Sequence, residues 1–164
     1  MDTAKQRTIP RKLCSSRIFL ACVLPAALCQ VQSNRSVKDQ ILGLLTDQLL
    51  AANTHDTDRF LATYVHSPDL IFIANGKIIR GWDDLRNQQL KWWKNGKSDI
   101  VYTRQAQPGI MSLDPKTVLV TEEMAGRRTS PDRKPSDGTF IVTTIWRLLP
   151  VGWRVIYGHE SRTQ

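Results

Sequence analysis

The chain is predicted to fold as an α+β domain, with three helices gathered on one face of a strongly bent antiparallel sheet. Three observations carry that prediction. Apolar residues recur at helical spacing only between residues 36 and 96, whereas the segments after residue 99 alternate with the two-residue period of strands. Asn75-Gly76 separates two short apolar runs, the strongest short hairpin signal, because both turn residues need positive φ. The order is also specific: helix, short helix, hairpin, helix, then three or four long antiparallel strands.

Ser36 with Asp39 three residues on is a helix-start signature. Val37, Ile41, Leu44, Leu45, Leu49 and Ala52 then keep helical spacing, so a long amphipathic helix runs to about Ala52. "NTHDTD" interrupts it, and Asp56 or Thr57 can cap a second helix over "DRFLATYV" that Pro68 closes off. "DLIFIANGKIIRG" is the hairpin. "WDDLRNQQLKWWKNG" is the third helix, with Trp82, Leu85, Gln89, Trp92 and Trp93 on one side and Gly96 at the C-terminal cap. "DIVYTRQA" and "KTVLVTEEMAG" follow as strands. "TFIVTTIWRLL" and "WRVIYGHES" then form a hairpin across "PVG". Residues 126–138, "GRRTSPDRKPSDG", lack any large apolar side chain and read as a mobile surface loop between strands.

The first 33 residues are of a different kind. Lys5, Arg7, Arg11, Lys12 and Arg17 face a single acid, Asp2, and the apolar run Ile18–Cys29 follows, then polar residues. That is the pattern of a secretory signal peptide. The run is short of the ~20 residues of a membrane span, so no stable span is expected after cleavage; an uncleaved N-terminal anchor is the alternative. Cleavage after Cys29 or after Ser33 places small residues correctly. Leu28 is too large for a lipoprotein acceptor box, and no paired arginine marks twin-arginine export. The expected organisation is residues 1–33 as signal peptide and short linker, and residues 34–164 as one exported domain.

Charge and cysteine usage follow this division. The whole chain carries 23 basic and 15 acidic residues, net +8; residues 1–29 hold five and one of these, leaving 18 against 14, net +4. The remaining positive charge is scattered, with no basic stripe and no recognisable nucleic-acid module, so nucleic acid is not an expected partner. Cys14, Cys22 and Cys29 all lie in the leader. The domain is therefore expected to have no disulfide, thiolate metal site or cysteine nucleophile. Three histidines without carboxylates at ligand spacing also argue against a metal site, and no cofactor is expected.

The block "HDTDRFLATYVHSPDLIFIANGKIIRGWDDLR" and the terminal "GWRVIYGHES" resemble the nuclear transport factor 2-like superfamily, and within it the SnoaL-like group. The matching features are the polar turn before a short helix, Arg80-Gly81 leading into the third helix, and a last strand carrying Trp153, Arg154, Val155, Ile156, His159 and Ser161. The resemblance covers roughly residues 36–162. It implies a cone, a strongly curved antiparallel sheet wrapped around the long N-terminal helix, with an apolar pocket that takes a small apolar ligand. It also implies a homodimer joined through the outer sheet face. Relatives of this kind include isomerases, dehydratases, epoxide hydrolases and non-catalytic assembly domains, so the resemblance marks fold rather than reaction.

His159 is the candidate catalytic acid or base, since imidazole titrates near neutrality, with Tyr157 as a hydrogen-bond donor beside it. Strict alternation along the last strand places Trp153, Val155, Tyr157 and His159 on one face and Arg154, Ile156 and Glu160 on the other. Trp153, Tyr102, Trp146 and Tyr64 are candidate pocket residues. Trp92 and Trp93 cannot both face inward from one helix, so one is expected at a pocket mouth or interface. His55 and His66 read as solvated helix-end residues. A steroid-isomerase mechanism needs a carboxylate base where Ala74 stands and a tyrosine on the first helix, which has none. An epoxide-hydrolase cluster would have to draw on Asp99, Arg104, Glu122 and Glu123. Glu122 and Glu123 point to opposite faces, so one is expected solvated and the other paired with an arginine of an adjacent strand. Three readings remain: a ligand-binding domain, a lyase, isomerase or hydrolase using His159, and a non-catalytic assembly module.

Overall fold

The structure, a computed structural model, describes residues 36–128 and 136–162. The expected signal segment and the centre of the polar loop lie outside the described residues.

Helix α1 (Val37–Asn53) begins as expected: the Ser36 hydroxyl oxygen accepts from the Asp39 backbone N–H at 3.1 Å, and its O–H donates to the Asp39 carboxylate at 2.7 Å. One face, with Ile41, Leu45, Gln48 and Ala52, is buried. Helix α2 (Thr57–Leu61) is capped by Asp56, which accepts from the Arg59 N–H at 3.0 Å. It stops before the expected Val65 because the chain there is recruited by the sheet. The Val65 N–H donates to the Val155 carbonyl and the Val155 N–H to the Thr63 carbonyl, each at 2.9 Å. Strands β1 (Ile71–Ala74) and β2 (Lys77–Arg80) meet at Asn75 and Gly76, with φ of 52° and 72°, the conformation that made this dipeptide a hairpin signal. Helix α3 (Trp82–Trp92) ends earlier than "KNG" suggests, because Lys94, Asn95 and Gly96 all have positive φ.

Strands β3 (Ile100–Arg104), β4 (Gly109–Asp114), β5 (Thr117–Arg128), β6 (Ser136–Leu149) and β7 (Gly152–Arg162) complete the domain. The sheet order is β2-β1-β7-β6-β5-β3, with β4 also on β5. Strand β4 is not announced by the sequence: "GIMSLD" lacks alternation and is largely exposed, as an edge strand can be. It pairs with the first half of β5, while β3 takes Met124–Arg128, so two short strands share one long neighbour. The sheet is strongly curved but mixed, not wholly antiparallel, because the hairpin docks on β7 through β1, which runs parallel to it. The polar loop is also narrower than composition suggests. Gly126, Arg127 and Arg128 pair with Gly138, Asp137 and Ser136, since backbone pairing needs no apolar side chain.

Packing divides the interior into a filled part and a hollow part. Ile41, Val118, Val120, Trp146 and Val155 are fully buried and Trp153 nearly so. The indole N–H of Trp146 donates to Thr144 Oγ1 at 2.8 Å and that of Trp153 to Gln40 Oε1 at 3.2 Å, so both large rings enter the core without an orphaned donor.

Candidate functional site

The hollow part is a cavity of about 130 Å³, partly open to solvent, between α1, α3 and the concave face of the sheet. An apolar cavity of about 150 Å³ accepts a benzene molecule, so this space suits about one ring. Its wall is a continuous arc of aromatics: Phe72, Tyr64, Phe60, Trp93, Tyr102 and Phe140, all lining it, with successive ring centroids 6.3, 5.6, 5.2, 6.5 and 6.1 Å apart. These are spacings at which aromatic pairs attract. Trp93 joins the arc because it lies just past the last helical residue, φ −94° and ψ 11°, and leaves the helical phase there. Trp92 therefore lines the cavity half-buried while Trp93 is buried, and both tryptophans face it.

Against this wall stand a few polar groups. Arg104 Nε and Nη2 both donate to Glu122 Oε1, at 2.9 and 2.7 Å, and Nη2 also donates to the Leu45 carbonyl at 3.2 Å, tying β3, β5 and α1 together. Burial pushes the Glu122 carboxyl up from its ordinary range, against the opposing pull of Arg104. Glu160 enters the cavity from β7, its carboxyl likewise pushed up by burial, with the exposed Arg162 guanidinium at 3.3 Å. Tyr102 accepts a hydrogen bond from the Trp93 indole at 3.1 Å. Two further side chains matter for what they lack: Tyr64, 5% exposed, and Gln89, 7% exposed, line the cavity, and neither side chain's polar group has a hydrogen-bond partner among the described residues. Both groups open onto the cavity, where a bound molecule or water can reach them.

One irregularity sets this arrangement. Along β6–β7 the partner of Ile145 is Tyr157, but that of Trp146 is Val155, so Ile156 is an extra residue in β7. A bulge of this kind reverses the side-chain phase. Trp153 and Val155 point into the core before it; Gly158 and Glu160 point inward after it. The bulge lies where β7 changes partner on one edge, from the Thr63–Val65 segment at Val155 to β1 at Tyr157. The Tyr64–Val155 bridge is also what holds Tyr64 at the cavity.

The alternation assumed for the last strand therefore fails at Ile156, and with it the proposed position of His159. His159 is exposed and Tyr157 half-buried, both on the face opposite Glu160, and neither lines the cavity. Of the four candidate pocket residues, Tyr64 and Tyr102 line it, whereas Trp146 and Trp153 are spent on the core. Glu122 turns inward to Arg104 and Glu123 is exposed, as strand alternation requires. His66 is exposed, stacked on Trp82 at 4.1 Å. His55 is not merely solvated: its Nε2 lies 2.9 Å from the Ile100 carbonyl and pins the α1–α2 turn to β3. Among the described residues no group of three or more His, Cys, Asp or Glu is placed to hold a metal.

Solved structures share this architecture. An NTF-2 like protein of unknown function from Shewanella oneidensis MR-1 superposes with a TM-score of 0.62 at 24% identity, covering 76% of this chain and 98% of its own. The chain has the nuclear transport factor 2-like fold. Two other structures carrying that fold show how varied its bearers are. A ketosteroid isomerase-like protein from Erwinia carotovora atroseptica SCRI1043 matches at TM-score 0.60 and 18% identity, over 76% of this chain and 94% of its own. The association domain of CaMKII from C. elegans matches at 0.62 and 13%, over 76% and 94%. No family model matches the chain, and no curated protein does. Identities this low establish the nuclear transport factor 2-like fold and leave the chemistry to the site itself.

Periodicity misses Glu160 and Gln89. Glu160 is hidden by the bulge, and Gln89 is hidden because a glutamine among apolar helix positions carries no chemical signature. Its helical phase with Leu85 is nevertheless legible, and a polar residue on a buried stripe is the signal that could have marked it.

Proposed function

We propose that this domain binds a compact small molecule inside the cone. The observation that carries this reading is the aromatic cavity itself, with the polar side chains of Tyr64 and Gln89 in its wall and without protein hydrogen-bond partners among the described residues. A hydroxyl and an amide that open onto the cavity are groups that water or a ligand can satisfy, and a ligand that bonds them keeps their hydrogen bonding intact. Ligand-observed NMR with single-ring fragments tests it: binders should be found with the full chain and lost in Ala52→Phe, which fills the cavity from α1. Fragments bound equally by that variant would place binding elsewhere and sink the reading.

A catalytic variant of this reading has one observation in its favour. Glu160, a carboxyl whose affinity for protons is raised by burial, faces the cavity, the property wanted of a general acid or base. The acid–base role sought in His159 would then fall to Glu160. Export rests on the composition of residues 1–33, and N-terminal sequencing of the protein recovered outside the cytoplasm tests it. Homodimerisation through the outer sheet face rests on the fold and on its occurrence in an association domain; sedimentation equilibrium tests that.

A further inference from the structure

If the cavity is a ligand site, as proposed above, its own side chains also specify the charge of the ligand. We infer that the cavity selects a small organic cation, a protonated amine carried on a single ring or a chain of similar bulk, with Glu160 as its counter-ion.

The ionisable side chains that line the cavity, besides its tyrosines, are Arg104, Glu122 and Glu160. Arg104 is committed: its Nε and Nη2 go to one oxygen of Glu122, and Nη2 also to the Leu45 carbonyl. That pair is neutral as a unit. Among the described residues, Glu160 has no cation inside the cavity besides the committed Arg104. Its contact with Arg162 is a single 3.3 Å approach to a side chain 64% exposed, the kind of surface pair that contributes little. The cavity lining thus holds one carboxylate whose counter-charge, Arg162, stands at the surface. The charges of Glu122 and Glu160 add to burial in raising the Tyr64 pKa, whereas at Tyr102 the charge of Glu160 is opposed by Arg128 and Arg162.

Three features then agree on the ligand's chemistry. Seven aromatic side chains line a space of one-ring size, and π-faces attract ammonium groups most where water is excluded. Gln89 offers a carbonyl and Tyr64 a phenolic oxygen, both able to accept N–H hydrogen bonds and otherwise unpartnered. An anion would meet Glu160 with no free guanidinium in the cavity lining to hold it, and a neutral ring would leave the carboxylate with its surface contact to Arg162 as its counter-charge.

Isothermal titration of the full chain with benzylamine, benzyl alcohol and benzoate at neutral pH decides the matter. Benzylamine should bind at least ~10-fold more tightly than benzyl alcohol, benzoate should not bind, and Glu160→Gln should reduce benzylamine to the level of the alcohol. Benzyl alcohol or benzoate binding as tightly as benzylamine would overturn the inference while leaving a ligand-binding cavity in place. If all three fail to bind, while other single-ring fragments still do so in the Ala52-dependent manner above, the inference alone is overturned. If no fragment binds, both fall. The three-compound comparison is made on the unaltered protein, so it stands even if Glu160→Gln does not fold.

Discussion

At the scale of single residues, the carboxyls of Glu122 and Glu160 hold protons more tightly folded than unfolded, because burial penalises their charge. The stability they contribute is fully present below the unfolded carboxyl value of 4.5 and is lost as pH rises through their higher folded values. Glu160→Gln should therefore be more stable than the parent at neutral pH, with a flatter decline of Tm above that value. Thermal melts across the acid range check this, and a steeper decline in the variant would contradict it. The phenols of Tyr64 and Tyr102 are pushed up chiefly by burial. Phenolate absorbance from these two should appear only above the ordinary value of 10.0 in the native protein, and return to it in denaturant. His159 is a useful contrast. Being exposed and outside the cavity, His159→Ala should change stability by less than ~0.5 kcal/mol and leave fragment affinity, measured by titration, at the parental value.

At the scale of elements, β7 shows how one residue reassigns a face. Trp153, Val155, Tyr157 and His159 alternate without fault in the sequence, and nothing local to Ile156 marks it as supernumerary. The bulge arises because β7 must satisfy two neighbours, Thr63–Val65 and β1, far away in the chain. Gly158, the first inward residue after it, lies against the Phe72 ring: a Cβ there would come 2.5 Å from Phe72 Cδ2 and 2.6 Å from Cε2. Gly158→Ala must displace that ring, which also lines the cavity, and should cost about 1–3 kcal/mol as overpacking does while weakening fragment binding. Chemical denaturation and fragment titration together measure both, and a variant of parental stability would show that the ring yields freely. The other elements were largely legible, because caps and turns are local chemistry: Ser36 with Asp39, Asp56 and Asn75-Gly76 all act within a few residues of themselves.

At the scale of the whole molecule, the fold divides its aromatics between support and site. Trp146 and Trp153 consolidate the core, while Trp92 and Trp93 face the cavity. Trp146→Ala should cost about 3–5 kcal/mol, the range for deleting a buried ring, measured by denaturation; a much smaller loss would mean the core refills the space. The Arg104–Glu122 pair joins β3 and β5 to α1 near the cavity. Removing the guanidinium alone, as in Arg104→Met, should cost about 3 kcal/mol, because a buried carboxylate is then left unpaired. That loss should shrink at acid pH, where Glu122 takes up a proton.

Local chemistry along the chain was enough to specify most of the elements: helices from their 3.6-residue stripe, strands from their alternation, turns from residues that tolerate positive φ. Each of these depends on neighbours in the chain. The grouping of polar side chains in the cavity is of another kind and came from tertiary contacts alone. Arg104, Glu122 and Glu160 come from three strands, Tyr64 from a segment held by a bridge to Val155, and Gln89 from α3. Their meeting depends on sheet register and on the extra residue in β7, and register is set by long-range pairing that no local pattern encodes.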